Sequence, residues 1–478
     1  IGYGIRRLVA ERAHSAREAV DIATKLLAEF GYFHDGRTYT FADANEAWQL
    51  AIHQGNSWAA RKIHDNEVVY IPNNFMMDKV DLNDKETWRI EPKQVERAVK
   101  DGRHDAKNPI FNWRKVVAQE SVRHERWNAN RNVLAWKFLT GVEYNDPEKF
   151  PYSAVIDRKL GVKDAMALLR LHEDYIGQDQ ELYHSKSEGI CRTTSHDSIV
   201  YNLTADPTLT EAWKTLGRPC QSVFVPLYPL PGPAKGTAFT DPATATKEHF
   251  AGTPAMFDYR ADFTPHSVFS ASNNAVDYLR GDELAKRTQL IQAEEDKFMK
   301  DRAAVTKKAA GLKGEERTKF LHDYNQKSYD HVLKIMQAEN ARLMPNKVKI
   351  LADVVKADGD GTVDFALLGA KGHEVLSANM EATRAGMSAN QLNSTRQWKN
   401  FAPAEKMVYK DVNNDGITDV VFTFKAKDVT KGAVAGAAMD LWLYTQINGH
   451  RVTGFDVVPV ENDKVKMNKG ARDGKGLL

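Results

Sequence analysis

Thr38-Tyr39-Thr40-Phe41, Ala47-Trp48-Gln49-Leu50-Ala51-Ile52, Trp58-Ala59-Ala60-Arg61 and Glu67-Val68-Val69-Tyr70-Ile71 follow one another near the start of the chain, with Gly, Asn and Asp between them. Short runs rich in β-branched and aromatic residues, bounded by turn formers, predict strands. Ahead of them, Leu8, Ala16, Ala19, Ile22, Ala23 and Leu26 recur at helical spacing, and Gly31 closes that helix after Phe30. A helix feeding a series of strands points to an α+β fold. The chain opens at Ile1, within a turn of this helix, with neither Met nor a signal-peptide pattern. It therefore reads as a piece of a longer polypeptide.

Composition bounds what such a fold can do. The 478 residues suffice for two to four domains, and 42% hydrophobic with 27% charged residues describes a globular chain. Lys and Arg number 66 against 64 Asp and Glu, a balance that argues against a nucleic-acid partner. No apolar run is long enough for a membrane span. Two cysteines exclude a disulfide-dense scaffold and a Cys-rich metal site.

Further along, residues 85–150 are polar and Trp-bearing and predict irregular helices. Val162 to Tyr175 predicts a second helix, with Asp164 in its first turn and Gly177 beyond its end. Strands return at Ser198–Leu203 and Gln221–Tyr228. Residues 274–344 predict a long charged helix interrupted near Gly311 and Gly314, which Pro345 ends. Gly-punctuated, strand-like sequence then runs to about residue 460, and the Lys/Gly-rich tail Asn462–Leu478 reads as flexible.

Several chemistries have no sequence signature here: no His-Glu-x-x-His, no Gly-x-Ser-x-Gly elbow, no phosphate-binding loop. His172-Glu173-Asp174 offers metal-ligand side chains, but adjacent helical residues face different ways, so it reads as a solvated polar end. Cys191, close to His196, has the makings of an activated thiol. The bland alternative is that Cys191 and Cys220 are small strand residues facing a core.

Five segments occur in an order that resembles one family. They are Glu11-Arg12-Ala13…Ala16-Arg17-Glu18-Ala19; Asp43-Ala44-Asn45-Glu46-Ala47-Trp48 with Trp58-Ala59-Ala60-Arg61-Lys62; Val68-Val69-Tyr70-Ile71-Pro72-Asn73-Asn74-Phe75; Ile190-Cys191-Arg192-Thr193-Thr194-Ser195-His196-Asp197-Ser198; and Trp213 followed by Gly217-Arg218-Pro219-Cys220-Gln221-Ser222-Val223-Phe224-Val225-Pro226. Together they resemble the C69 dipeptidases over roughly residues 1–340. The resemblance implies an N-terminal-nucleophile hydrolase, an αββα sandwich whose nucleophile is the first residue of the mature enzyme. In this family that residue is Cys, and its own α-amino group acts as base. Residue 1 here is Ile, so the nucleophile is not on this chain, and a companion fragment carrying the N-terminal Cys is expected. Asn73 matches the superfamily's oxyanion-hole position, the alternative being a turn residue after Pro72. Arg192 matches an active-site Arg that favours the thiolate, the alternative being a surface ion pair. Glu46 and Trp48 belong to the fold. No cofactor for catalysis is implied.

A second feature lies outside that resemblance. Asp411-Val412-Asn413-Asn414-Asp415-Gly416-Ile417-Thr418-Asp419 places oxygen side chains at positions 1, 3, 5 and 9 with Gly at 6. This is the spacing of a calcium loop, with Asp411, Asn413, Asp415 and Asp419 as side-chain ligands and Ile417 giving a backbone carbonyl. Residue 422 is Phe where an EF-hand needs Glu, and the flanks read as strands. The alternative is an acidic hairpin without metal.

The expected organisation is an α+β chain. An N-terminal-nucleophile hydrolase domain (1–273, N-terminally incomplete) is followed by a long helical segment packing on it (274–345). A C-terminal β domain, sandwich-like and bearing the structural calcium loop (346–461), precedes the tail (462–478). The expected activity is a cysteine-type dipeptidase on short peptides, exported because millimolar calcium is extracellular. The alternative is an inactive hydrolase scaffold serving as a calcium-stiffened extracellular module. Self-association is left open.

Overall fold

A computed structural model describes residues 2, 4–119, 121–172, 189–192, 195, 197–232, 265–387, 401–431, 433 and 437–463. By internal contacts the chain divides into two units. Unit 1 comprises Ile1–His172, Glu188–Ile190 and Tyr201–Thr210; unit 2 comprises Glu173–Ser187, Cys191–Val200 and Glu211–Leu478.

Unit 1 begins with α1 (Ile5–Ala10) and α2 (Ala16–Phe30), followed by β1 (Arg37–Ala42), β2 (Ala47–His53), β3 (Ser57–Ile63), β4 (Glu67–Val69), β5 (Val80–Asp81) and β6 (Trp88–Ile90). It continues through α3 (Pro92–Lys100), β7 (Ile110–Phe111), α4 (Trp113–Val117), α5 (Ser121–His124), α6 (Arg126–Thr140), β8 (Ser153–Val155) and α7 (Val162–Leu169). The main sheet is antiparallel, in the order β1-β2-β3-β6. Side chains on β2 alternate faces, as the two-residue strand period requires. Trp48, Leu50 and Ile52 pack with Val20, Ala23 and Leu27 of α2. Ala51, with Ala59 of β3, faces the opposite cluster of Met76, Met77, Phe111, Trp113, Trp136 and Leu139. Helices therefore cover both faces of this sheet.

Capping fixes where α2 starts. The Ser15 hydroxyl accepts the Glu18 amide, while the Asp43 carboxylate accepts the Ala16 amide at 2.7 Å, pinning the helix to the β1–β2 turn. Gly36, just before β1, has φ +142°, and a Cβ there would lie 2.3 Å from the Phe75 ring, so no other residue fits.

Two sequence expectations shift in unit 1. The strand expected over Glu67–Ile71 pairs only over Glu67–Val69, since Pro72 offers no ladder donor and restricts the residue before it. The helix expected over Val162–Tyr175 ends at Leu169, where the Arg170 and Leu171 amides bond carbonyls three residues back and tighten the last turn. Glu173, Asp174, Tyr175 and Gly177 lie outside the described residues, as do Thr193, Thr194, His196 and the tail from Lys464.

A three-stranded sheet has the order β11-β10-β9; β10 (Glu211–Thr215), β11 (Val225–Leu227) and the first three residues of β9 (Ser198–Asn202) belong to unit 2. The strand expected over Gln221–Tyr228 is shorter, because Pro219–Gln221 forms a 3-10 turn. Three helices follow, α8 (Pro265–Leu279), α9 (Asp282–Gly311) and α10 (Gly314–Leu343), with the breaks near Gly311 and Gly314 where the sequence places them. The remaining elements are β12 (Val348–Ile350), β13 (Val355–Lys356), β14 (Thr362–Leu367), β15 (Arg384–Met387), β16 (Ala402–Pro403), β17 (Lys406–Lys410), β18 (Asp419–Lys425), α11 (Ala426–Val429), β19 (Ala437–Ile447) and β20 (His450–Glu461). They form two sheets, β12-β14-β18-β17 and β13-β20-β19-β15-β16. One apolar cluster joins them: Ile350, Phe365, Leu367, Phe422 and Phe424 from the first meet Met439, Leu441, Leu443, Val458 and Val460 from the second. Helices and mainly antiparallel sheets make the chain α+β.

Candidate active site

Asn73 lies in a bend four residues past the end of β4, exposed to solvent. What surrounds it is a polar stripe on α6. That helix buries Asn128, Arg131, Asn132, Ala135, Trp136 and Leu139, a single face at helical spacing whose first half is polar. The Asn128 Oδ1 accepts the Asn73 amide at 3.0 Å, and its Nδ2 donates to the Val122 carbonyl at 2.9 Å. Arg131 donates from Nη1 to the Asn73 Oδ1 at 2.8 Å and from Nε to the Gly189 carbonyl at 3.1 Å. Its guanidinium sits 5.0 Å from the centre of the Trp127 ring.

This arrangement decides which way the Asn73 carboxamide points. A guanidinium has donors only, so the atom facing Arg131 is the carbonyl oxygen. The Nδ2 is thereby turned away from Arg131, and among the described residues it has no hydrogen-bond partner. A cation bonded to the oxygen also draws electron density from the amide and strengthens the N–H groups as donors. The result is an oriented, polarised and solvent-facing donor, the kind that stabilises a developing oxyanion.

Aromatic and buried cationic side chains pack near Asn73. Phe75 stacks edge-on against Trp113 with ring centres 4.9 Å apart. Arg123, almost wholly buried, donates to the Pro147 and Phe150 carbonyls at 2.5 and 2.9 Å. Beside the β2–β3 turn lies a cavity of about 360 Å³ lined by His53, Ser57, Gln94, Arg97 and Arg103. Arg97 and Arg103 already pair with Glu91 and Asp101 there, so the cavity offers no strong anion site. Glu46 and Trp48 serve the sheet. Glu46 pairs with Arg17 and Lys62 at 3.3 and 3.4 Å, and the guanidinium groups of Arg17 and Arg89 lie 5.3 and 5.0 Å from the centre of the Trp48 ring.

Arg192 belongs to unit 2 and is partly buried, its amide donating to the Ser195 hydroxyl at 3.1 Å. Cys191, beside it in the chain, is buried, but in a bend rather than a strand. Cys220 stands in the 3-10 turn after Arg218. The two sulfurs are 3.4 Å apart, a pairing that 29 residues of separation hide in the sequence. Gly217 explains the Gly-Arg-Pro-Cys run: its φ is +147°, and a Cβ there would lie 2.3 Å from the Asn273 side chain.

The acidic loop between β17 and β18 satisfies itself. Asp411 accepts the Asp415 and Gly416 amides, and Asp415 accepts the Ile417 amide and the Asn413 Nδ2. Asp419 is fully buried, its two oxygens taken by the Gly369 and Val412 amides at 2.8 Å each. Gly369 is pressed so close that a Cβ would meet the Thr418 carbonyl at 2.4 Å. The amide donors, that of Gly416 foremost, hold the Asp411 carboxyl below the usual carboxylate range. Charge that a cation would offset is thus already met by backbone N–H groups. Among the described residues no three His, Cys, Asp or Glu side chains converge as metal ligands. The donor set is nonetheless all oxygen, which suits a hard cation.

Comparison with known proteins bears on residues 3–235, which match the model of peptidase family C69. A probable dipeptidase B from Lactococcus lactis subsp. lactis is 28% identical over 282 residues, covering 55% of this chain and 54% of that protein. A dipeptidase from Bifidobacterium longum is 22% identical over 341 residues, covering 65% of this chain and 62% of that protein. A probable dipeptidase B from Streptococcus pyogenes serotype M6 is 30% identical over 164 residues, 33% of this chain and 31% of its own. The matched region thus spans between about a third and three fifths of these relatives. Among the described residues no helix is long and apolar enough to cross a membrane.

Proposed function

We propose that this chain, which belongs to peptidase family C69 through residues 3–235, is part of a cysteine-type dipeptidase in which Asn73 supplies the oxyanion hydrogen bond. The observation that carries the reading is the bond from Arg131 to the Asn73 Oδ1, which leaves the Asn73 Nδ2 as an oriented donor. The nucleophile is an N-terminal Cys outside this sequence, its α-amino group taking the thiol proton. The thiolate adds to the peptide carbonyl, and the carbonyl oxygen becomes an oxyanion that accepts from Asn73. Collapse expels the leaving amine, which takes the proton, and leaves a thioester that water hydrolyses. A donor used only at the tetrahedral stage lowers the barrier without tightening substrate binding.

Arg131 acts through Asn73 as a positioning residue, and Arg192 favours the thiolate by its charge. The architecture we attach to this chemistry is the αββα sandwich, its second sheet completed by the segment that bears the Cys. Residues 346–461 are read as a sandwich-like β domain. Its loop is proposed to bind one structural calcium through Asp411, Asn413, Asp415, Asp419 and the Ile417 carbonyl, as suits an exported protein. The test is release of amino acids from an unblocked dipeptide and from its N-acetyl counterpart by the complete enzyme. Hydrolysis of the unblocked peptide alone is expected; absence of hydrolysis in both would refute the reading.

A further inference from the structure

We propose that Cys191 and Cys220 form an oxidation site that closes to an intramolecular disulfide in the presence of a low-molecular-weight disulfide. The chain's two cysteines are 29 positions apart in sequence, yet the fold of unit 2 brings their sulfurs to 3.4 Å. That is sulfur-to-sulfur contact, the proximity a disulfide between them requires. The two cysteines come from different stretches of the chain. Cys191 follows the Gly189-Ile190 segment, while Cys220 sits in a short turn whose preceding Arg218 is wholly buried and bonded to Gln221 and Asn274.

The chemistry is a two-step exchange. Cys220, the more exposed of the two, loses its proton to solvent and attacks one sulfur of the small disulfide, releasing one small thiol and leaving a mixed disulfide. Cys191 then loses its proton, attacks the Cys220 sulfur and releases the second small thiol. The protein is oxidised by two electrons and the small disulfide is reduced to two thiols. Burial, followed by the neighbouring Cys191, pushes the Cys220 thiol well up, so little thiolate is present at neutral pH. The first step is accordingly slow and speeds up with rising pH. Such a pair is a poor nucleophile for substrate and a good cross-link, consistent with an oxidising compartment. The link would also fix the backbone of the adjacent Arg192.

The experiment treats the purified chain with oxidised glutathione and reads intact mass, a non-reducing peptide map and the thermal midpoint. The expected product is lighter by two hydrogens, carries a Cys191–Cys220 linked peptide, and melts roughly 4 to 6 °C higher than the reduced form. In Cys191→Ala, which removes the resolving thiol, glutathione should remain bound to Cys220. Two outcomes would overturn the proposal. One is a stable mixed disulfide on Cys220 in the unsubstituted chain. The other is persistence of both thiols under conditions that oxidise the denatured chain.

Discussion

Asn73→Asp separates the two things the Asn73 side chain does. A carboxylate of the same shape still accepts from Arg131, whose Nη1 lies 2.8 Å from the present oxygen, so the local structure is retained. It has no N–H to donate, so the oxyanion loses its partner and meets a negative charge in its place. Removing one oxyanion donor costs about 3 kcal/mol, or roughly 10²- to 10³-fold in kcat, and the added charge makes the upper end the better expectation. KM should change little, because the lost bond forms only in the transition state. Stability should not fall: the carboxylate keeps its bond to the buried Arg131 while its own side stays open to solvent. The assay is steady-state dipeptide hydrolysis by the complete enzyme, with thermal melts of the same preparations. A variant that melts normally and keeps kcat within about threefold of the unsubstituted enzyme would refute the oxyanion role.

Arg131→Met removes two charge-assisted hydrogen bonds, to Asn73 and Gly189, while keeping most of the packing against Trp127; unfolding free energy should fall by about 2 to 4 kcal/mol in denaturant titration, and kcat with it. Glu67→Gln leaves the buried Arg61 without its carboxylate at 2.8 Å, a loss of roughly 3 kcal/mol measured in the same way. Burial raises the Glu67 carboxyl, but Arg61 and the His64 amide outweigh it and hold it below its ordinary 4.5. A depressed carboxyl stabilises the fold above that value, so this contribution should be lost as pH falls below about 4.5, and Glu67→Gln should flatten the acid limb. If the acidic loop binds calcium, ion at 100 times its Kd should add about 2.7 kcal/mol to the stability of its domain, an effect chelator removes. Asp415→Ala should abolish that difference, and identical melting with calcium and chelator leaves the plain hairpin.

What the sequence disclosed, and what it concealed, follows from how far apart the partners lie. Trp48, Leu50 and Ile52 alternate on one strand, and α2 carries its own cap in Ser15, so both elements are legible locally. The breaks at Gly311 and Gly314 are local as well. The β10 strand was missed because it opens on Glu211, a residue that reads as exposed until Arg302 of α9 is found 2.7 Å away. The α6 stripe was missed for a related reason: Asn128, Arg131 and Asn132 interrupt its apolar period, and only the fold shows that they bury against Asn73. A run of polar residues at positions i, i+3 and i+4 continuing into Ala135, Trp136 and Leu139 was the available signal. Asn73 itself could be picked out by its motif, whereas the residue that orients it could not. The Cys191–Cys220 contact spans 29 positions and left no local trace.

In the proposed mechanism the chemistry belongs to an N-terminal Cys served by Asn73, with the two thiols of this chain apart from it. Alkylation of the complete enzyme by iodoacetamide, with and without a saturating dipeptide, tests this most directly when the modified residues are mapped by mass and compared with remaining activity. Loss of activity should track modification of the N-terminal Cys, the dipeptide should protect it, and Cys191 and Cys220 should stay unmodified while activity disappears. Inactivation that instead tracks modification of Cys191 or Cys220, with the N-terminal residue untouched, would contradict this mechanism.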